Sequence, residues 1–221
     1  MKVIAYPFAG GNSYSYARLA RGHTYEWVTL DPPGHGTRLQ QTLESSISGI
    51  VSALLEPTLR AVGSDKYFLF GHSMGAYLAL AMLDRLVEMG ADLPECLILS
   101  GANAPHRITH QSHSTLPRSQ FFQWLSAMGG ISAEVMAEPE LMELFEPILR
   151  ADVAAVESYA GTFMREYSVP VRILLGLHDK IVSPEAHGWE DCFVSSPEIH
   201  ILTGGHFFLF DDIAKVQSLI A

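Results

Sequence analysis

The sequence predicts an α/β fold: a mostly parallel central sheet flanked by helices, with a helical insertion late in the chain. Three observations carry this. Short apolar runs of strand length recur at Lys2–Tyr6, Tyr25–Leu30, Tyr67–Phe70, Leu97–Gly101, Val171–Gly176 and Glu198–Leu202. Stretches suited to helices separate the first four, and such alternation calls for a parallel sheet covered on both faces. From about 105 to 165 the alternation stops, and amphipathic pieces without a convincing strand replace it.

The elements follow in order. Pro7 ends the first strand, and Pro7-Phe8-Ala9-Gly10-Gly11-Asn12-Ser13 forms a glycine-bearing loop before a helix expected from about Ser13 to Ala20. No Gly-Lys-Ser/Thr follows, so a phosphate loop is disfavoured. Asp31-Pro32-Pro33-Gly34-His35-Gly36 is a dense turn after the second strand. Ile47, Ile50, Val51, Leu54, Leu55 and Leu59 repeat at helical spacing over Ser46–Val62, and Pro57 is expected to kink or end that helix. Met74–Met89 reads as a helix with Gly90 as its C-cap. In the insertion, Phe121, Phe122, Trp124, Leu125 and Met128 crowd one stretch, and Leu141, Met142, Leu144, Phe145, Ile148 and Leu149 another. Placed after a strand at the catalytic end of the sheet, it reads as a lid; it could also simply complete the core, and both can hold. Phe207–Ile220 closes the chain as a helix.

Composition bounds the function. With 221 residues, 48% hydrophobic and 17% charged, the expectation is one packed domain spanning 1–221, with its lid at about 105–165. A formal charge of −10 argues against nucleic acid, though local basic patches leave room for a carrier-protein partner. The two cysteines, Cys96 and Cys192, are far apart and outside any Cys-x-x-Cys pattern. They read as core fillers in a reducing, cytoplasmic setting. Met1–Pro7 is too short and too soon broken by proline for a signal peptide, and no apolar run approaches the ~20 residues of a membrane span. The expectation is a monomer without membrane partners.

Chemistry concentrates at Gly71-His72-Ser73-Met74-Gly75, between a strand and a helix. Gly-x-Ser-x-Gly in that setting is the nucleophile elbow of the α/β-hydrolases. A serine hydroxyl is a weak nucleophile and must stand exposed on a sharp turn within reach of a base. The N–H of Met74, at the new helix's start, points where an oxyanion would form. A triad on this fold runs Ser, then Asp or Glu, then His. Asp179, three residues past its strand, fits the acid slot better than Asp191, Asp211 or Asp212, which fall on expected helices or their edges. Among ten histidines, His206 follows Gly204-Gly205 in the turn after the last strand and fits the base slot. His200 lies in a strand, His187 on a helical stretch, and His35, His72 and His178 in other loops. His72 reads as a packing residue of the elbow. The pair His110 and His113 lacks the glutamate and third ligand of a catalytic zinc site, so neither metal nor cofactor is expected.

Taken together, Pro7–Gly11, Pro33–Arg38, Gly71–Ala76, Ser100-Gly101, Gly129–Ile131 through Leu149–Asp152, Asp179–Glu185 and Gly204–Phe208 resemble the type II thioesterases of nonribosomal peptide and polyketide synthases. The resemblance runs almost the whole length. It implies Ser73, Asp179 and His206 as the triad, and the amides of Met74 and of Ala9 or Phe8 as the oxyanion hole. It also implies acyl- or peptidyl-carrier domains bearing phosphopantetheine thioesters as partners, cleared of stalled or wrongly loaded acyl groups. Some of Phe121, Phe122, Trp124, Leu125 and Met128 are expected to line an acyl pocket between lid and sheet. His35 departs from an arginine common in the family's second turn, Leu177-His178 from more polar residues, and 106–119 matches poorly. The triad alone would equally serve a carboxylesterase acting on free oxyesters, and a product-releasing thioesterase would carry the same residues. Intact residues at all three triad positions argue against a non-catalytic carrier-binding module.

Overall fold

A computed structural model describes residues 1–108, 112–127, 129, 138–159, 168–185 and 187–220. Six strands form one sheet: β1 (Lys2–Tyr6), β2 (Glu26–Thr29), β3 (Tyr67–His72), β4 (Cys96–Ser100), β5 (Val171–Gly176) and β6 (Glu198–Leu202). Their order is β2-β1-β3-β4-β5-β6, and each neighbouring pair runs parallel. Successive side chains of a strand face opposite sides, and the core divides accordingly. Ile4, Tyr6, Leu69, Leu97 and Leu99 pack with α2 (Ile47–Val62) and α3 (Met74–Met89). Val3, Ala5, Phe68, Phe70 and Ile98 pack on the other side with Tyr16, Leu19, Phe208, Val216 and Ile220. Burial on both faces is why these strands read as continuous apolar runs.

Three local departures from the sequence reading have identifiable causes. The first helix, α1, covers only Ala17–Ala20. Before it, Asn12 Oδ1 accepts from Tyr14 N at 2.9 Å and Ser15 Oγ from Asn12 N at 2.8 Å. Such side-chain bonds to nearby backbone compete with helix. Pro57 neither ends nor interrupts α2. A proline there leaves the Ala53 carbonyl without its helical donor, and Arg38 Nη1 approaches that oxygen at 3.4 Å. The closing segment is a short 3₁₀ turn, Phe208–Phe210, followed by α6 (Ile213–Ile220). Asp212 Oδ1 accepts from Lys215 N at 3.0 Å and so starts the helix afresh.

Between β4 and β5 the described residues contain helices and no strand: α4 (Arg118–Ala127) and α5 (Pro139–Glu157), besides two 3₁₀ turns. Phe121 and Leu125 of α4 pack against Leu149 and Val153 of α5 in a separate apolar cluster. Leu149 and Val153 are four apart on one helical face. Among the described residues, no helix is long and apolar enough to cross a membrane. Cys96 and Cys192 are free and buried.

Candidate active site

The β3–α3 junction presents Ser73. Its φ of 56° makes it the one non-glycine residue with positive φ among those described. L-residues adopt that conformation rarely, and it persists only where the surroundings enforce it. Here they do. Ser73 N donates to Ser100 O at 2.8 Å, and Ala76 N to Ser73 O at 3.0 Å. A Cβ on Gly71 would collide with the Gly75 carbonyl, and one on Gly75 with the Tyr6 carbonyl. The glycines thus let α3 start close against β1 and β3 with Ser73 raised between them. Met74, as the first residue of α3, has an N–H with no intrahelical partner.

The loops after β5 and β6 are laced together, Leu177 N donating to Leu202 O at 2.8 Å and His178 N to Gly204 O at 2.9 Å. This brings Asp179 to His206: Asp179 Oδ2 lies 2.8 Å from His206 Nδ1. The Asp179 side chain is fully buried, and its Oδ1 accepts from the amides of Ile181 (2.8 Å) and Val182 (3.2 Å). A carboxylate so held accepts the Nδ1–H, which leaves Nε2 as the unprotonated nitrogen of a neutral His206.

His72 lies behind this pair, buried, its ring centroid 5.0 Å from that of His206. Its Nδ1 meets Ser100 Oγ at 2.9 Å. Burial, and secondarily the neighbouring His206, push its pKa well below the ordinary histidine value. It therefore stays neutral beneath the site.

Ser73, Met74 and His206 open on a cavity of about 400 Å³, whose wall also includes Phe8, Ala9, Tyr77, Trp124, Leu125, Leu149, Val153 and Val156. Arg107, His113, Glu157 and Lys180 add polar groups. Phe8 and Ala9 thus share the cavity with Met74. Of the lid residues expected to bind substrate, Trp124 and Leu125 line the wall. Phe121 and Phe122 do not. Phe121 is fully buried between α4 and α5, with the Arg150 guanidinium 4.4 Å from its ring centroid; Phe122 packs at the margin of the same cluster. Met128 lies outside the described residues, as does His110. His113 stacks on Trp124, centroids 4.3 Å apart, and its backbone N donates to Glu157 at 2.6 Å. No group of three or more potential metal ligands occurs among the described residues.

A buried ionic pair went unnoticed in the sequence. Asp152 of α5 is fully buried, and its Oδ2 receives the Gly10 N–H at 2.7 Å and lies 2.9 Å from His35 Nε2. His35 Nδ1 lies 2.9 Å from Pro33 O. Burial, the largest influence, lowers the His35 pKa. The hydrogen bond and charge of Asp152, with the Pro33 carbonyl and Asp31, outweigh it and raise the pKa above the usual value. The available signal was a lone aspartate one position from Val153 and three from Leu149 on an otherwise apolar helix face.

The thioesterase domain family model matches residues 1–221, so the chain belongs to that family. A probable cadicidin biosynthesis thioesterase of Streptomyces griseus is 29% identical, covering 100% of this chain but 62% of its own length. The human medium-chain S-acyl fatty acid synthase thioesterase is 29% identical over 95% of this chain and 81% of its own. Among solved structures, YbtT, a type II thioesterase of the yersiniabactin pathway, is 30% identical with a TM-score of 0.84, covering 99% of this chain and 89% of that one. ClbQ of the colibactin pathway is 26% identical with a TM-score of 0.89, covering 99% and 94%. The sheet and its flanking helices are those of the α/β-hydrolase fold.

Proposed function

We propose that this member of the thioesterase domain family hydrolyses acyl thioesters carried on the phosphopantetheine arms of carrier domains, by way of an acyl-serine on Ser73. The observation that carries the reading is the Asp179–His206 pair, whose histidine opens on the same cavity as the strained Ser73. His206 Nε2 takes the Ser73 proton as the hydroxyl oxygen adds to the thioester carbonyl. Asp179 fixes the tautomer and stabilises the imidazolium that forms. The N–H of Met74 and that of Ala9 or Phe8 hold the oxyanion. When the tetrahedral intermediate collapses, the carbon–sulfur bond breaks and His206 returns its proton to the leaving thiolate. Water, deprotonated by the same nitrogen, then releases the acid and restores Ser73. A thiol leaves readily, its pKa being ~8.5.

One α/β body over residues 1–221 carries both the machinery and the lid in this reading. The acyl group occupies the apolar side of the cavity, against Tyr77, Trp124, Leu125, Val153 and Val156. Carrier-linked substrates are favoured by the names of the relatives, which belong to fatty acid and peptide or polyketide assembly. Removal of stalled or wrongly loaded groups suits a cavity with a broad apolar side.

The test compares hydrolysis of acyl-carrier, acyl-coenzyme A and simple oxyester substrates, with Ser73→Ala as the blank. Fastest turnover of the acyl-carrier, lost by several orders of magnitude in Ser73→Ala, is expected. A preference for the oxyester would return the enzyme to the carboxylesterases.

A further inference from the structure

The buried Asp152 carboxylate takes no part in the proton relay, yet it joins three separate pieces of chain. It stands on α5 in the insertion, its first partner is Gly10 in the loop after β1, and its second is His35 in the turn after β2. Gly10 meets the helix at close quarters. Its φ is +72°, and a Cβ there would stand 2.8 Å from Leu149 Cδ2. Leu149 and Asp152 are three apart on α5 and so share one face. The loop backbone therefore rests on that face with its amide aimed into the carboxylate.

The charge state follows from the partners. A carbonyl only accepts, so His35 Nδ1 must donate to Pro33 O. Asp152 Oδ2 receives the Gly10 amide, an acceptor's role, and His35 Nε2 points to the same oxygen. With His35 protonated, Oδ2 receives donors on both sides, and that is the form favoured by the raised His35 pKa. Asp31, the other acid acting on His35, is already occupied by the Ser13 amide and by the Thr37 amide and hydroxyl. Asp152 Oδ1 is buried with no hydrogen-bond partner among the described residues. The whole grip of the carboxylate is thus exerted through one oxygen.

We propose that Asp152 is a positioning residue for oxyanion stabilisation, holding the Phe8–Ala9–Gly10 backbone against α5 through the Gly10 amide while His35 balances its charge. This rests on the reading of Ala9 or Phe8 as the second oxyanion donor. An amide adjacent to a strongly held amide has little freedom to drift. An oxyanion donor is effective only when preset within about 2.7–3.1 Å of the developing charge. Seating of the lid helix and competence of the oxyanion hole are then a single event.

The experiment uses S-octanoyl-N-acetylcysteamine and its dithioester analogue, in which sulfur replaces the carbonyl oxygen. Well-placed amide donors favour oxygen over sulfur in the anion, so the ratio of the two kcat/KM values reports on the hole itself. Asp152→Asn keeps the size and removes the charge. It is expected to lower kcat for the thioester about tenfold to a hundredfold, less than deleting a donor outright, with KM little changed. The ratio should shrink about tenfold. A lower kcat with the ratio unchanged would make Asp152 a purely structural residue and overturn the proposal, as would unchanged kcat. If Asp152→Asn does not fold, the ratio is read on His35→Gln, which keeps a donor towards the carboxylate. A shrinkage of about threefold is expected there, and an unchanged ratio overturns the proposal. Should the wild-type protein turn over esters but not thioesters, the substrate reading alone falls, and the ratio is read on an ester and its thionoester. Inertness towards all four overturns both.

Discussion

Replacing Trp124 by alanine should lengthen the acyl chain that the enzyme prefers. Trp124 lies on the cavity wall, half-buried and stacked on His113. The cavity holds about 400 Å³. At ~30 Å³ per water-sized group it accommodates about thirteen such groups. After the thioester and the first pantetheine atoms, that leaves room for a chain of about eight to ten carbons. Each methylene withdrawn from water contributes about 0.8 kcal/mol, about fourfold in kcat/KM. The wild-type series should therefore climb with chain length and level off near that point. Removing the indole opens room for roughly four more groups. Full burial of four methylenes would give a ceiling of about 250-fold at the longer chains. The mouth is open to solvent, so a tenfold gain over wild type is the threshold we set. The assay is kcat/KM over an acyl-N-acetylcysteamine series from two to sixteen carbons, normalised to the acetyl substrate. Phe121→Ala is the control. It empties a fully buried site behind the cavity wall, outside the lining, and should cost about 3–5 kcal/mol of stability without moving the plateau. If the plateau stayed put in Trp124→Ala, or moved equally in Phe121→Ala, this cavity would not be the acyl pocket.

Two further outcomes are expected. Asp179→Asn should reduce kcat by about 10⁴-fold by favouring the wrong imidazole tautomer, with thermal stability checked alongside; near-normal turnover would move the acid elsewhere. Stability, measured by urea unfolding from pH 5 to 9, should peak near neutrality because two buried histidines act in opposite directions. The pKa of His35 is raised on folding, so its contribution is present below the unfolded value of about 6.5 and is lost as pH rises through the folded one. That of His72 is lowered, so folding leaves it neutral and stability falls as pH drops below about 6.5. Asp152→Asn should flatten the alkaline limb and, by letting burial count for more at His35, steepen the acid one; an unchanged alkaline limb would detach it from His35.

Much of this molecule was legible because its signals are local. Strands buried on both faces write themselves as apolar runs, and the elbow is a fixed spacing in which Gly71 answers to the nearby Gly75 carbonyl, although Gly75 answers to the distant one of Tyr6. Chain order and placement just past the late strands pointed to Asp179 and His206, which meet at 2.8 Å. What escaped depends on partners far away in sequence. Pro57 reads as a helix breaker unless Arg38 is known to reach the Ala53 carbonyl. Phe121 and Trp124 are equally apolar in the sequence, and only the packing of α4 on α5 decides which faces the cavity. The His35–Asp152 contact spans 117 positions, and neither residue carries a local sign of the other.

The insertion leaves the sheet after β4 and rejoins it at β5, and these strands are neighbours. The two strands run parallel, with Ser100 beside Leu174 and Leu97 beside Val171, so the ends of the insertion are held a fixed distance apart at opposite ends of the pair whatever lies between them. For a flexible segment the entropy of joining its ends grows only with the logarithm of length, about 0.6 kcal/mol per doubling. Ser100 and Val171 thus act as a fixed socket into which segments of different length and composition could be exchanged at small thermodynamic cost to the sheet. The contact such an exchange would most need to preserve is a single carboxylate oxygen, the one through which Asp152 reaches Gly10.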